Sequence, residues 1–568
     1  MKLLALKSIA MGAVVAAVIA TPVAASAVTY TVQVAGAGSS AQFYVFAEAA
    51  YQQAKAFSGS TAKHYTAKNA GFVHDNRAAG VSDEPGNLWV VWSQNSGGTA
   101  VEIWAYLSVD STVGVRAFES APRSSLTFPS PLPAPGNIVT TWDDNSVDVA
   151  LDTNVQAALT NAKFTAAFTD IRPEDALYAS NHLLTGVGTC AGTPIKSAVS
   201  GSTANATPVK FALTGNDPCS TSTATVPFVT VPVGAAPIVF LVNSSNTSSG
   251  HLGNSAVTNI SSANATKVFD GAECDASLFG GSSSVPVTAW LREPLSGTMN
   301  TTEFSVFQPN GSSQEAGVTT NPLNQTCTSG GGSRKRGIGT GEIVSSVSGT
   351  TADQTGYIFF SYEAVNGKTN LKYVKLDNVD PFTGTYTTGT LPTCLTGGAI
   401  KCTISPNTSF ATLRNGTYKA WSIYRAISDD AHITNLKSLV TKAQAVAGTG
   451  TGVPDFVPFS PVCGSSASND EKGLDVYREH FSYSVSKIQS VANNTVTSTV
   501  TSTPNDGPAQ ANVTCTTGGV RSLAFRTLGG YITSSNTNTE VMGDVGGAIQ
   551  GPFSGNPTVP GPTTTVNR

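Results

Sequence analysis

The sequence predicts an α/β protein of two lobes, with a ligand cleft at the lobe interface and long loop insertions. Three observations carry that reading. A grammar of strand, polar turn and helix recurs along the chain, which is how α/β sheets are built, with ligands collecting at the strand ends. Residues 229–242, centred on Val233-Gly234-Ala235-Ala236-Pro237-Ile238-Val239-Phe240, form a long apolar strand able to cross between lobes, and Lys419-Ala420-Trp421-Ser422-Ile423-Tyr424 supplies a return. Finally, Arg292-Glu293-Pro294-Leu295-Ser296-Gly297-Thr298 joins a buried-strand run at 285–291 to a helical run at 299–307.

That last stretch is a ready oxyanion site. The unpaired N–H groups of a first helical turn point outward, and the helix dipole favours negative charge there. Ser296 and Thr298 add hydroxyls, Gly297 permits close backbone approach, and Arg292 offers a planar fork for two oxygens. Ser-Gly-Thr alone is common currency in a chain so rich in these residues; Ser348-Gly349-Thr350 is a second copy with no arginine before it.

Taken in order, the chain opens with Lys2 and Lys7 around an apolar run at 9–19 and then Ala25-Ser26-Ala27. This is the pattern of a secretory signal peptide over 1–27, cleaved after Ala27, and the run is too short to span a bilayer. The expected mature protein is periplasmic or secreted. Tyr30-Thr31-Val32-Gln33-Val34-Ala35 alternates as a strand, then comes Gly36-Ala37-Gly38-Ser39-Ser40. Phe43, Phe46, Ala47, Ala50, Tyr51 and Ala54 follow at helical spacing. Gly36-x-Gly38 lacks the third glycine of a dinucleotide fingerprint and fits equally a turn that holds a smaller anion. The grammar returns at strand 101–107, ending near Asp110-Ser111-Thr112, and at strand 164–169, ending on Asp170. Between them, 121–136 is a proline-rich surface insertion. Residues 196–225 and 308–335 read as Ser/Thr/Gly/Asn-rich loops, 356–362 as a buried strand, 435–447 as a closing helix, and 551–568 as a disordered tail. The lobes are then 28–232 and 419–550 for the first, with 233–418 for the second.

Of the 568 residues, 12% are charged and 55 are glycine, and mean hydropathy is +0.00, which suits a loop-rich globular chain. The net charge of -4 gives no electrostatic footprint for nucleic acid. Eight cysteines in an exported chain argue for disulfides, with neighbour pairing 190–219, 274–327, 394–402 and 463–515 the simplest arrangement. No Cys-x-x-Cys, His-Glu-x-x-His or Gly-x-Ser-x-Gly occurs, so no metal or cofactor is implied. The six histidines read as surface or satisfied core residues, and Arg334-Lys335-Arg336 as a solvated loop that could also steer anions.

The order of these signals resembles the phosphate-binding proteins of ABC phosphate importers, the PstS-like members of the type II periplasmic binding fold. Gly36 to Ser40 nearly repeats that family's Gly-Ala-Gly-Ser-Thr; Asp110 to Val115 is similar to its Gly-Ser-Ser-Gly-Gly-Val; Phe168-Thr169-Asp170 to its Ala-Ser-Asp. Arg292 to Thr298 is similar to its Arg-x-Asp-Gly-Ser-Gly-Thr. The resemblance spans roughly residues 28–460 and implies a non-enzymatic, monomeric capture protein for inorganic phosphate or a similar oxyanion, partnered by an ABC permease in the inner membrane. The implied ligands are Ser40 with its neighbours Ser39 and Ala41, then Ser111, Asp170, Arg292, Ser296, Gly297 and Thr298. Ala41 replaces a Phe from which only a backbone N–H is needed. Pro294 and Leu295 replace the Asp-Gly whose aspartate helps hold the arginine in the family, which leaves the choice among oxyanions open. Asp170 implies a proton test, because a carboxylate accepts from P–OH, and sulfate has no such proton near neutral pH. Two rival readings stand beside this one: an exported phosphatase, and a surface or matrix interaction protein that keeps the fold without the ligand.

Overall fold

The computed structural model describes residues 27–171, 229–382 and 410–458, short gaps aside. It also describes 386–391 in part and the strand residues 195–196, 208–209, 394–395, 401–402, 476–482, 485–492, 495–500, 505–514, 522–525 and 564–567. Residues 1–26 of the signal peptide expected over 1–27, most of the 196–225 loop and Cys190, Cys219, Cys463 and Cys515 lie outside the described residues. Among the described residues, no helix is long and apolar enough to cross a membrane.

The first half is laid down in the expected grammar: β1 (Thr29–Ser39), α1 (Phe43–Ser58), β2 (Lys63–His74), β3 (Gly86–Gln94), β4 (Ala100–Val109), α2 (Ser111–Glu119), β5 (Leu126–Thr127), α3 (Thr153–Thr160) and β6 (Ala166–Thr169). β1 lies between β4 and β6, parallel to both, so the turns after β1, β4 and β6 emerge at one sheet edge. α1 buries Phe43, Phe46, Ala47, Ala50, Tyr51 and Ala54, the stripe its spacing predicts. α2 sits hard on β1: a Cβ at Gly114 would lie 2.8 Å from the Ala37 carbonyl carbon, so only glycine fits there.

β7 (Val229–Asn243) is shared between the halves. The second half contributes α4 (Ser262–Asp270), β8 (Thr288–Arg292), α5 (Gly297–Thr302), β9 (Ser333–Gly337), α6 (Gly339–Val347), β10 (Gln354–Phe359) and β11 (Leu371–Leu376); β12 (Trp421–Ser428) and α7 (Ile433–Gly448) follow. Val229 to Pro237 pair antiparallel with β12, which itself pairs with β6 of the first half. From Ile238 to Val242 the same strand pairs with β10 of the second half. The hand-over falls between Pro237 and Ile238, where the Ile238 N–H donates to the Ala420 carbonyl at 2.7 Å. Crossing and return are thus hydrogen-bonded to each other, and the mixed α/β architecture expected from the sequence is present. β8 lies between β9 and β10, parallel to both, repeating the arrangement around β1.

Two expectations need correction. The basic run is the strand β9, not a solvated loop: Arg334 and Arg336 are buried and Lys335 lies over the Trp290 ring. Alternation along a strand puts 334 and 336 on one face, and Arg334 satisfies its guanidinium on the carbonyls of Phe269 and Gln314 at 3.1 and 3.0 Å. In the tail, 551–563 lies outside the described residues, but Thr564–Asn567 is a strand paired with Thr495 to Ser498. Its β-branched Thr-Thr-Val run favours that state.

The Cys274–Cys327 bridge is formed, with a Cα–Cα distance of 5.9 Å. Cys394 lies opposite Cys402 in an antiparallel ladder. The bridge spans 53 residues in sequence, so chain entropy alone assigns it about 4 kcal/mol. Replacing both Cys274 and Cys327 by serine is expected to cost about 2–4 kcal/mol of stability. Denaturant titration checks this, and an unchanged midpoint would show the loop is held by packing instead.

Candidate functional site

The strand ends of the two halves face each other, and most of the sequence-predicted residues meet there. Ser296 is the N-cap of α5, its Oγ accepting the N–H groups of Thr298 and Met299 at 3.1 and 3.4 Å. Gly297 opens the helix and lies against the first half: a Cβ there would be 2.5 Å from Ser111 Oγ and 2.8 Å from Asp170 Cβ. Arg292, 1% exposed, ends β8; its Nη1 donates to Thr298 Oγ1 at 3.0 Å, and its backbone N–H to the Tyr357 hydroxyl at 3.3 Å.

From the first half, Ser111 Oγ accepts the Asp170 N–H at 3.1 Å, and Gln42 Nε2 donates to Asp170 Oδ1 at 3.3 Å. Burial pushes the Asp170 carboxyl up to about 6, against the opposing pull of hydrogen bonds from Ser39, Gln42 and Ser111 and of the Arg292 charge. Such a group is a poor place for a second full negative charge and a good acceptor for a ligand proton. The Ala41 N–H donates to Ser39 Oγ at 3.2 Å. Ser40 stands at the seam, its Oγ accepting the Thr340 N–H at 3.2 Å.

Sequence reading passed over four contributors. Asp110 pairs with Arg292, Oδ1 to Nη2 at 3.5 Å, with both side chains buried. Gln42 holds Asp170, Tyr357 orients Arg292, and the first turn of α6, Gly339 and Thr340, faces Ser40. The Gly337-Ile338-Gly339-Thr340-Gly341 run after a strand was a legible signal for the last of these, since it repeats the grammar of 36–40. A polar cleft of 590 Å³ runs beside the cluster between the halves, with Ser40 and Asp110 on one wall and Thr340 and Glu342 on the other.

No protein-family model matches the chain, and no curated protein matches it. Similar solved structures include a high-affinity periplasmic phosphate-binding protein, PfluDING, bound with phosphate, 13% identical over 76% of this chain and 90% of that one at a TM-score of 0.32. Others are an ABC-type phosphate transport receptor from Vibrio cholerae (13% identity, 38% and 66% covered, TM-score 0.23) and PstS from Borrelia burgdorferi (14%, 37% and 66%, 0.22).

Proposed function

We propose that this protein captures phosphate, or a related tetrahedral oxyanion, between two lobes (28–232 with 419–550, and 233–418) and hands it to an ABC-type permease. It acts as an exported, monomeric binding protein with no catalytic step. The observation that carries the proposal is the buried Arg292 at the seam, with Ser111, Asp170, Gly297 and Thr298 converging on it from both halves.

An anion enclosed there needs every oxygen satisfied, because an unpaired buried charge is prohibitive. Arg292 supplies charge-assisted bonds, and the hydroxyls of Ser40, Ser111 and Thr298 supply neutral ones. Asp170 accepts a P–OH proton, which phosphate and arsenate carry near neutral pH and sulfate does not. Opening and closing of the lobes about the paired crossing strands would admit and enclose the ligand.

Calorimetric titration of ligand-free protein tests this: phosphate and arsenate should bind in the micromolar range or tighter, and sulfate at least about a hundredfold more weakly. Absence of binding by all of them overturns the proposal, and turnover of p-nitrophenyl phosphate would return the phosphatase reading. One observation favours the interaction-protein reading: Ser296 Oγ and the Ala41 N–H are already spent on internal bonds.

A further inference from the structure

We infer that Asp110 is a specificity-determining residue of this site: it supplies, from the first half, an acidic partner for Arg292. Together with Asp170, it makes the site select an oxyanion carrying two protons. The inference rests on the anion-capture reading and deepens it.

Asp110 is placed for this by the fold. It is the N-cap of α2, where its carbonyl accepts the Gly114 N–H at 2.9 Å. This fixes the backbone at the point where β4 delivers the chain to the seam. Its side chain reaches across the seam to Arg292, Oδ1 to Nη2 at 3.5 Å, with both side chains 2% exposed. The residue also lines the cleft between the halves. Asp110 therefore stands between the guanidinium and the space from which an anion would arrive. Within the Arg292 segment itself, position 294 is a proline and offers no charge, and Glu293 lies outside the described residues.

The consequence is a matter of counting charges. Among the described residues, this buried cluster brings together one guanidinium, Arg292, and two carboxylates, Asp110 paired with it and Asp170 within reach of its charge. Tyr106 and Tyr424, which also face Asp170, are held neutral by burial. Across the cleft from Asp110 lie Glu342, Glu363 and Lys368, with Lys68 on its own side. These two acids and two lysines balance. A dianion entering the cluster meets two carboxylates and a single cation; a monoanion with two acidic protons brings one donor for each carboxylate. Dihydrogen phosphate and dihydrogen arsenate have that form. Hydrogen phosphate leaves one carboxylate facing an acceptor, and sulfate leaves both.

Calorimetry of phosphate and sulfate binding across about pH 5 to 8, on wild type and on Asp110→Asn, tests this. Wild type should bind phosphate progressively more weakly as pH rises through the second ionisation of phosphate, approaching about tenfold per pH unit above it. Asp110→Asn should flatten that dependence and raise sulfate affinity at least about tenfold, since an amide donates where the carboxylate could only accept. Uniform weakening of every oxyanion in Asp110→Asn would overturn the inference, leaving Asp110 as a clamp on Arg292 alone. Phosphate binding by wild type with no pH dependence would overturn it without any variant. Neither result touches the anion-capture reading, which falls only if wild type binds no oxyanion at any pH.

Discussion

Arg292→Ala is expected to weaken every tetrahedral oxyanion by a hundredfold or more, about 3 kcal/mol, without discriminating among them. Arg292 is the cation that the structure places among Asp110, Asp170 and Thr298. Removing it takes away the charge-assisted bonds and leaves two buried carboxylates without that cation. Asp170 then favours its protonated form further, so the variant should lose stability more at pH 8 than at pH 5. The sign follows from the Asp170 carboxyl, already raised to about 6 by burial. A raised folded-state value contributes stability below the unfolded value, and that contribution disappears as pH rises through the folded value. Loss of Arg292 raises that value further and moves the loss upward in pH. Thermal melts at the two pH values separate this effect from binding. Arg292→Lys is the companion variant: it restores the charge but not the fork, so it should recover the pH 8 stability and only part of the affinity. Wild-type phosphate affinity in Arg292→Ala would remove Arg292 from the site.

Much of this site was legible before any coordinates. Gly36 to Ser40, Ser111, Asp170 and Arg292 to Thr298 each sit where a strand hands over to a turn or a helix, and parallel pairing of β1 with β4 and β6 brings three of those ends to one edge. The apolar run at 229–242 announced a crossing because it is longer than one sheet layer needs. What could not be read was pairing across the seam. Asp110 read only as part of a strand end, and nothing in its spacing to Arg292, 182 residues on, says that its carboxylate meets the guanidinium. Arg334 and Arg336 were misread for a related reason. Charge predicts exposure only until a strand's alternation turns two arginines to the buried face, where Arg334 finds the carbonyls of Phe269 and Gln314, remote in sequence. Ser296 was legible as a helix start, but its hydroxyl is taken up by its own helix.

Gly297→Ala should weaken capture while leaving the protein folded. The glycine does not have a left-handed backbone here, so alanine meets no conformational strain, and within a helix alanine is intrinsically the better residue. The obstacle lies across the seam: the new methyl would sit 2.5 Å from Ser111 Oγ, 2.8 Å from Asp170 Cβ and 3.0 Å from Asp170 Oδ2. Neither neighbour yields easily. Asp170 is held by Gln42, and its carbonyl accepts from the Ser422 hydroxyl at 2.7 Å, while Ser111 is bound to the Asp170 N–H. Overpacking of that kind costs about 1–3 kcal/mol, and here it falls on the closed arrangement, because opening the seam relieves it. Affinity should therefore drop about ten- to a hundredfold, with a melting temperature for the ligand-free protein close to that of wild type. Gly341→Ala is the control: it lies in the first turn of α6, and a Cβ there meets no atom within 4 Å. It should bind phosphate as wild type does. Equal affinities for the two variants would mean that the contact of Gly297 with Ser111 and Asp170 is not part of the binding state.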